Sequence, residues 1–389
     1  MNTREDRLST TIQKIPPSGI RKFFEMLIGH DDVISLSVGE PDFPTPWCMR
    51  EEAFYHLEKG HTSYTSNWGL LELREEIAKY MNRYGMDYNP VNEILITVGA
   101  SEGVDAVLRA VLNEGDEILV SQPCYVNYTP LAELCHAKVV PVDSSKNNFY
   151  PTAEQIESLV TPKTKALMIC SPNNPTGTMI PKEELAKIAE VCKKHQIWVI
   201  SDEIYCELAY EDAEHVSIGS FDGMKDYTIV LNGFSKSFAM TGWRIGYIAA
   251  PAEILAQIVK LHGYNTICAP IFSQYAALEG LRHGWKDVEK MRISYQQRRN
   301  LMVKAFNDMG LPVPEPKGAF YMFPDISSTG MTSEEFATKL FQQHNVAVVP
   351  GSVFGLGGEG HIRVCYATSI EKIKVALDRI KQFVQENRK

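Results

Sequence analysis

Through the middle of the chain, short runs of β-branched and aliphatic residues alternate with longer stretches in which apolar positions recur every three or four residues. Glu93–Val98, Glu117–Ser121, Lys138–Val142, Lys165–Ser171, Trp198–Asp202, Thr228–Asn232 and Arg244–Ala249 read as strands. Helical periodicity fills Ser101–Leu112 after the first of them. It fills Pro181–His195 after the fourth, with Pro181 at the start and Glu183 and Glu184 in the first turn. Runs such as Ala166–Cys170 are apolar at every position, as strands buried on both faces are. The pattern predicts an α/β protein on a mainly parallel, seven-stranded sheet with helices on both faces.

The last third changes character. Ile293–Met309 and Ser369–Glu386 read as helices, the second with Ile370, Ile373, Leu377, Ile380 and Val384 in a one-sided stripe. Ala319–Phe323, Ala347–Val349 and His361–Cys365 read as strands of a smaller α+β unit. The expected division is a large domain over 46–290 and a small domain from 1–45 and 291–389, with the N-terminal arm packing on the C-terminal unit or wrapping a partner subunit.

Composition narrows the class. With 389 residues, 44% apolar and 22% charged, the chain is an ordinary globular protein long enough for two domains. Its 39 basic and 48 acidic residues give a net charge of -9, which disfavours nucleic acid and anionic membranes as partners but leaves room for a small anion held by a few local cations. The eight cysteines form no Cys-x-x-Cys pair and no cluster with histidine, so neither a disulfide scaffold nor a metal site is expected. Met1–Lys14 lacks the apolar core of a signal peptide, and no run approaches the roughly 20 apolar residues of a membrane span. The chain reads as soluble and cytoplasmic, which makes the glycosylation pattern Asn127-Tyr128-Thr129 a coincidence.

In an open parallel sheet, ligands gather at the carboxyl ends of the strands. Gly99-Ala100-Ser101 follows the first strand and opens a helix; it is either a phosphate cradle or an ordinary turn with a Ser cap. Ser171-Pro172-Asn173-Asn174-Pro175-Thr176-Gly177 follows the fourth, as a turn or as a loop whose amides reach a ligand. Asp202 closes the fifth, where burial demands a cation or donors, the bland alternative being a helix N-cap. After the sixth comes Ser235-Lys236-Ser237-Phe238-Ala239-Met240. A lysine in such apolar company has a lowered pKa and becomes a nucleophile able to form a Schiff base. Arg244, opening the next strand, wants an anion. A phosphate cradle, a Schiff-base lysine, an acid for a pyridinium nitrogen and donors for a phenolic oxygen are together what pyridoxal 5'-phosphate requires.

The chain resembles a class I/II aminotransferase of pyridoxal-phosphate fold type I, in the bacterial and archaeal branch that holds aromatic and aspartate aminotransferases. The likeness runs from about Ser18 to the C-terminal helix. It rests on SVGEPDFPTP at 37–46, TSYTSNWGLLELR at 62–74, SPNNPTG at 171–177, SDEIY at 201–205, the Lys236 block and RVCYATS at 363–369. The resemblance implies that Lys236 is the Schiff-base lysine and catalytic base, that Asp202 keeps the ring nitrogen protonated, and that Asn174 and Tyr205 partner the phenolic oxygen. It implies Tyr125 stacked on the ring and Ala100, Ser101, Ser235 and Arg244 around the phosphate. Tyr64 matches a tyrosine that reaches the phosphate from the other subunit of a homodimer. Arg363, with the Gly39 backbone and Asn174, matches the fork for the substrate's α-carboxylate. The implied reaction moves an amino group between an L-amino acid and a 2-oxo acid such as 2-oxoglutarate.

Some dicarboxylate-specific relatives carry Lys in the phosphate turn, where this chain has Ser101, and small hydroxyl residues near the N-terminus, where it has Pro17-Ser18-Gly19-Ile20. That favours an aromatic or broadly apolar side chain, unless Ile20 is mere packing and another Arg supplies the charge. The alternatives are an aspartate or alanine aminotransferase and a C–S lyase using the same cofactor. Gly355-Leu356-Gly357-Gly358-Glu359-Gly360 matches the dinucleotide pattern in form, but it precedes a strand instead of following one. A regulator built on this scaffold needs a basic DNA-binding extension, which the chain lacks.

Overall fold

The computed structural model describes residues 7–20, 32–211 and 213–387; the expected arm's residues 1–6 and 21–31 lie outside them. After β1 (Ile34–Ser35), the chain lays down β2 (Ile94–Thr97), β3 (Glu117–Gln122), β4 (Lys138–Asp143), β5 (Thr164–Cys170), β6 (Trp198–Asp202), β7 (Thr228–Gly233) and β8 (Gly246–Ala249). These last seven form one sheet in the order β2-β8-β7-β6-β5-β3-β4. Neighbours from β7 to β4 run parallel, while β8 is antiparallel to both β7 and β2.

Strand alternation explains the layers. Ile118, Val120, Ala166, Met168 and Ile200 point into one core, shared with Val104, Val107 and Leu108 of helix Gly99–Val111. Leu119, Leu167, Ile169 and Val199 point into the other, shared with Leu185, Ile188 and Cys192 of helix Lys182–His195. Each buried valine, leucine, isoleucine or methionine among them contributes about 1.5–3 kcal/mol. An all-apolar strand is therefore the sequence signature of a sheet covered on both faces.

Beyond β9 (Tyr321–Met322), β10 (Val346–Ala347), β11 (Val349–Pro350) and β12 (Ile362–Cys365) make smaller sheets. β11-β12-β9 is antiparallel, and β10 pairs in parallel with β1, so the N-terminal strand joins the C-terminal part of the chain.

Several boundaries depart from the sequence expectation. Ala347–Val349 is not one strand; the chain changes partner at Val348, leaving β1's side for β12. The helix expected at Ile293 begins at Trp285 and runs unbroken to Asp308, because Val288 and Met291 continue the buried stripe of Tyr295, Met302 and Phe306. The helix expected at Ser101 begins at Gly99, and Ser101 makes no cap; the Glu102 carboxylate accepts the Val98 N–H at 2.5 Å instead. Arg244 does not open a strand. Its φ of +53° is left-handed, and pairing begins only at Gly246. The glycine-rich loop at 355–360 opens no helix; it precedes β12 and docks on Gln122, whose Oε1 accepts the Leu356 N–H at 2.8 Å.

Candidate active site

The carboxyl ends of β7, β6, β5 and β3 lie side by side, so the residues following them face one cavity of about 660 Å³. Lys236 and Ser235 come from the turn after β7, Asp202 from the end of β6 with Tyr205 just beyond, Asn174 from the loop after β5 and Tyr125 from the turn after β3. Ala100, Ser101 and Arg244 line the wall where β2 meets β8. Ile20, Gly39 and Arg363 line it from the N- and C-terminal parts. Tyr64 alone of the expected residues is elsewhere: it is 79% exposed and not part of the cavity wall.

Two glycines build the anion corner. Gly99 has φ of +76°, and a side chain there would collide with the Arg244 guanidinium. A Cβ at Gly246 would meet the backbone of Gly99 and Ala100, so only glycine lets β8 approach the helix start so closely. The corner then offers the N-terminal N–H groups of helix Gly99–Val111, the Ser101 and Ser235 hydroxyls and Arg244, a set suited to a phosphate. Arg244 is steadied by a 2.9 Å bond from Nη1 to the Thr241 carbonyl.

Lys236 Nζ donates to the Gly39 carbonyl at 2.6 Å and sits over the Phe320 ring. Burial pushes its pKa down to about 8, against the pull of Glu40. Asp202 is buried, and burial pushes it up to about 6 although the Tyr128 hydroxyl donates to Oδ2 at 2.6 Å and the Ile204 N–H to Oδ1 at 3.1 Å. A carboxylate kept this dry is stabilised by an incoming cation.

Arg363 is 2% exposed and forms no ion pair with a described carboxylate. Nη1 donates to Asn174 Oδ1 at 3.0 Å and Nη2 to the Ser37 carbonyl at 2.6 Å, while Nε has no partner. Its guanidinium lies over the rings of Tyr321 and Phe354. A buried guanidinium with an idle donor is a receptor for an anion.

Two tyrosines escaped the sequence reading. Tyr128 holds Asp202, and Tyr321 bonds to the Tyr205 hydroxyl at 3.0 Å beneath Arg363. The only local signal was position: Tyr128 follows a strand end, and Tyr321 lies on the strand that pairs with Arg363's own.

A family model described as aminotransferase class I and II matches residues 31–380. The aspartate aminotransferase of Pyrococcus abyssi is 46% identical over 385 residues, covering 98% of this chain and 99% of that one. The aromatic-amino-acid aminotransferase 2 of Thermococcus litoralis is 44% identical over 385 residues, with the same shares of each chain. Among solved structures, the aromatic aminotransferase from Pyrococcus horikoshii OT3 superposes with a TM-score of 0.90 at 45% identity, covering 94% of this chain and 99% of that one.

Proposed function

This chain belongs to the class I and II aminotransferases, and from that membership and the cavity we infer that it uses pyridoxal 5'-phosphate to move an amino group from an aromatic or broadly apolar L-amino acid to a 2-oxo acid such as 2-oxoglutarate. The observation that carries this is the convergence of Lys236, Asp202 and Arg363 on one cavity: an amine of lowered pKa, a dry carboxylate and a buried arginine with an idle donor.

The donor set fits the cofactor. Ala100, Ser101, Ser235 and Arg244 would hold its phosphate, Asp202 its ring nitrogen, Asn174 and Tyr205 its phenolic oxygen, and Tyr125 its ring face. When bound, the cofactor supplies an aldehyde that takes up the amino group and a ring that draws electrons from the α-carbon. Arg363 binds the substrate α-carboxylate, with Asn174 orienting the guanidinium. Lys236 Nζ would take the proton from the α-carbon and deliver it to the cofactor carbon that receives the amino group. Asp202 holds a proton at the ring nitrogen, and Tyr128 with the Ile204 N–H keeps Asp202 ionised and aimed.

The lowered pKa gives a direct check. In protein stripped of cofactor, Lys236 is neutral and nucleophilic above about pH 8 and protonated below it. Its labelling by an amine-acylating reagent, followed by mass spectrometry, should be half-maximal near that pH. Exposed lysines should need a pH of about 10.

Specificity follows from the wall. Ile20, Val38 and Val126 give the cavity an apolar side, and among the described residues its cations are Lys236, Arg244 and Arg363, each already assigned. Residue 101 is Ser, and Glu40 adds a negative charge to the lining. A second substrate carboxylate finds repulsion there instead of a partner. We expect kcat/KM for phenylalanine or tyrosine to exceed that for aspartate by about tenfold or more, since a desolvated unpaired charge costs several kcal/mol. A donor panel including alanine and aspartate checks this, and a hundredfold preference for aspartate overturns it. Release of pyruvate and ammonia without net amino transfer would mark the lyase alternative.

We also read the molecule as a cytoplasmic homodimer with a large domain over 46–290 and a small one from 1–45 and 291–389. Tyr64 stands 79% exposed, away from its own cavity, as a residue serving a partner's site must. Exposed Trp47, Phe54 and Tyr55 on helix Trp47–Glu58 offer an apolar face for the second copy. Among the described residues no helix is long and apolar enough to cross a membrane.

A further inference from the structure

Residues 36–45 cross from β1 to helix Trp47–Glu58 and line the cavity at Val38, Gly39 and Glu40. Their backbone meets both central cations, through the Ser37 carbonyl to Arg363 and the Gly39 carbonyl to Lys236, each at 2.6 Å. The strap is fastened at one end by Leu36, which bonds to Ala347 and Cys365, and at the other by Thr45, whose hydroxyl donates to the Ala239 carbonyl. Between those ends, residues 37–44 make no backbone–backbone hydrogen bond with another described residue. Apart from those two carbonyl contacts, no main-chain bond to a described residue ties down the stretch that carries Gly39, and its further anchor is a side chain.

That side chain is Asp42. Arg298 on helix Trp285–Asp308 points Nη1 at both Asp42 oxygens, at 2.8 and 2.9 Å, and also reaches the Tyr366 carbonyl at 3.4 Å. The guanidinium is 8% exposed and lies over the rings of Phe43, the next residue of the strap, and Tyr295, which themselves meet edge to face. Arg298 is buried while Asp42 reaches the surface, so losing the aspartate leaves a buried guanidinium without its charge partner, which is the costly side to break.

We propose that Arg298 is a positioning residue: through Asp42 and Phe43 it sets the placement of the strap, and with it the affinity of the site for a substrate α-carboxylate. The proposal rests on the reading of Arg363 as the carboxylate receptor. Arg298 touches neither substrate nor cofactor. Loosening it displaces the Ser37 and Gly39 carbonyls from Arg363 and Lys236 and leaves Asp202 and the phosphate corner untouched. Binding of the carboxylate should therefore suffer more than proton transfer, since in the holoenzyme the lysine nitrogen would be held by the cofactor and not by the Gly39 carbonyl alone.

The test uses the holoenzyme and 3-phenylpropanoate, an aromatic monocarboxylate without an amino group, as the probe. In Arg298→Met and Asp42→Asn, its Kd by calorimetry and the KM for phenylalanine should each rise about tenfold, with kcat within about threefold of wild type and the cofactor's absorbance spectrum unchanged. Arg363→Met, measured alongside, must weaken the probe at least as much. If Arg363→Met binds the probe like wild type, the carboxylate reading is wrong and the proposal falls with it. If Arg363→Met loses the probe but both strap variants keep Kd within twofold, the carboxylate reading stands and the positioning role is overturned, even should their Tm fall. Asp42 is partly exposed, so Asp42→Asn decides alone if Arg298→Met does not fold.

Discussion

Lys236→Ala will lose turnover by about 10⁴-fold or more in kcat, together with the visible absorbance of lysine-linked cofactor, while the protein still folds and still takes up the cofactor noncovalently. Two jobs would vanish at once, because on the proposed reading the same nitrogen anchors the cofactor and carries the α-proton. Among the described residues no other lysine lines the cavity, so none of them inherits either role. The folded state should tolerate the change. Lys236 makes one hydrogen bond, to the Gly39 carbonyl, and removing a buried amine also removes the burial that pushes its pKa down. Single-turnover kinetics with phenylalanine and a thermal melt check the two halves. A variant with kcat within tenfold of wild type defeats the assignment.

Asp202→Asn should lower kcat by roughly 10²–10³-fold with a much smaller change in KM, since removing one charge from a buried pair costs about 3–5 kcal/mol. Asparagine matches aspartate in shape; its one oxygen can still accept the Ile204 N–H, and its NH2 can donate to a Tyr128 hydroxyl turned to act as acceptor. What it cannot do is neutralise a cationic ring nitrogen, so the loss reports charge rather than structure. The carboxylate stands near a pKa of 6 before the cofactor enters, and the ring cation favours its ionised form. A kcat within threefold of wild type would show that the ring nitrogen is served from elsewhere.

The features visible in the sequence were those written locally. Ala166–Cys170 announces a doubly covered strand by composition alone, and β5 is buried along that whole stretch. The residues after the strand ends were legible because a parallel sheet puts those ends together whatever the loops do. Arg244 was misread as part of a strand because Arg-Ile-Gly-Tyr-Ile-Ala has the composition of one. What delays pairing to Gly246 is the left-handed backbone at Arg244 and the close approach of Gly99, which no local pattern records. Tyr128 and Tyr321 were missed for a related reason. Tyr128 acts on Asp202, 74 residues away, and Tyr321 on Tyr205, 116 residues away. A tyrosine that ends in a core contact and one that ends on a carboxylate of the candidate site look alike until the chain is folded.

The parallel pairing of β1 with β10, Ile34 against Val346, imposes an order of events during synthesis. The stretch from Ile94 to Ala249 carries the whole seven-stranded sheet and leaves the ribosome with Lys236, Asp202 and the phosphate corner already encoded. Gly39 emerges long before it and can meet Lys236 once that stretch has folded, but Ser37 and β1 find their partners only when β10 and β12 arrive with Arg363. On the proposed reading, the nascent chain acquires the residues that would hold its cofactor first and the carboxylate contact at Arg363 last. A chain truncated before Val346 should be a cofactor binder with no amino-acid selectivity.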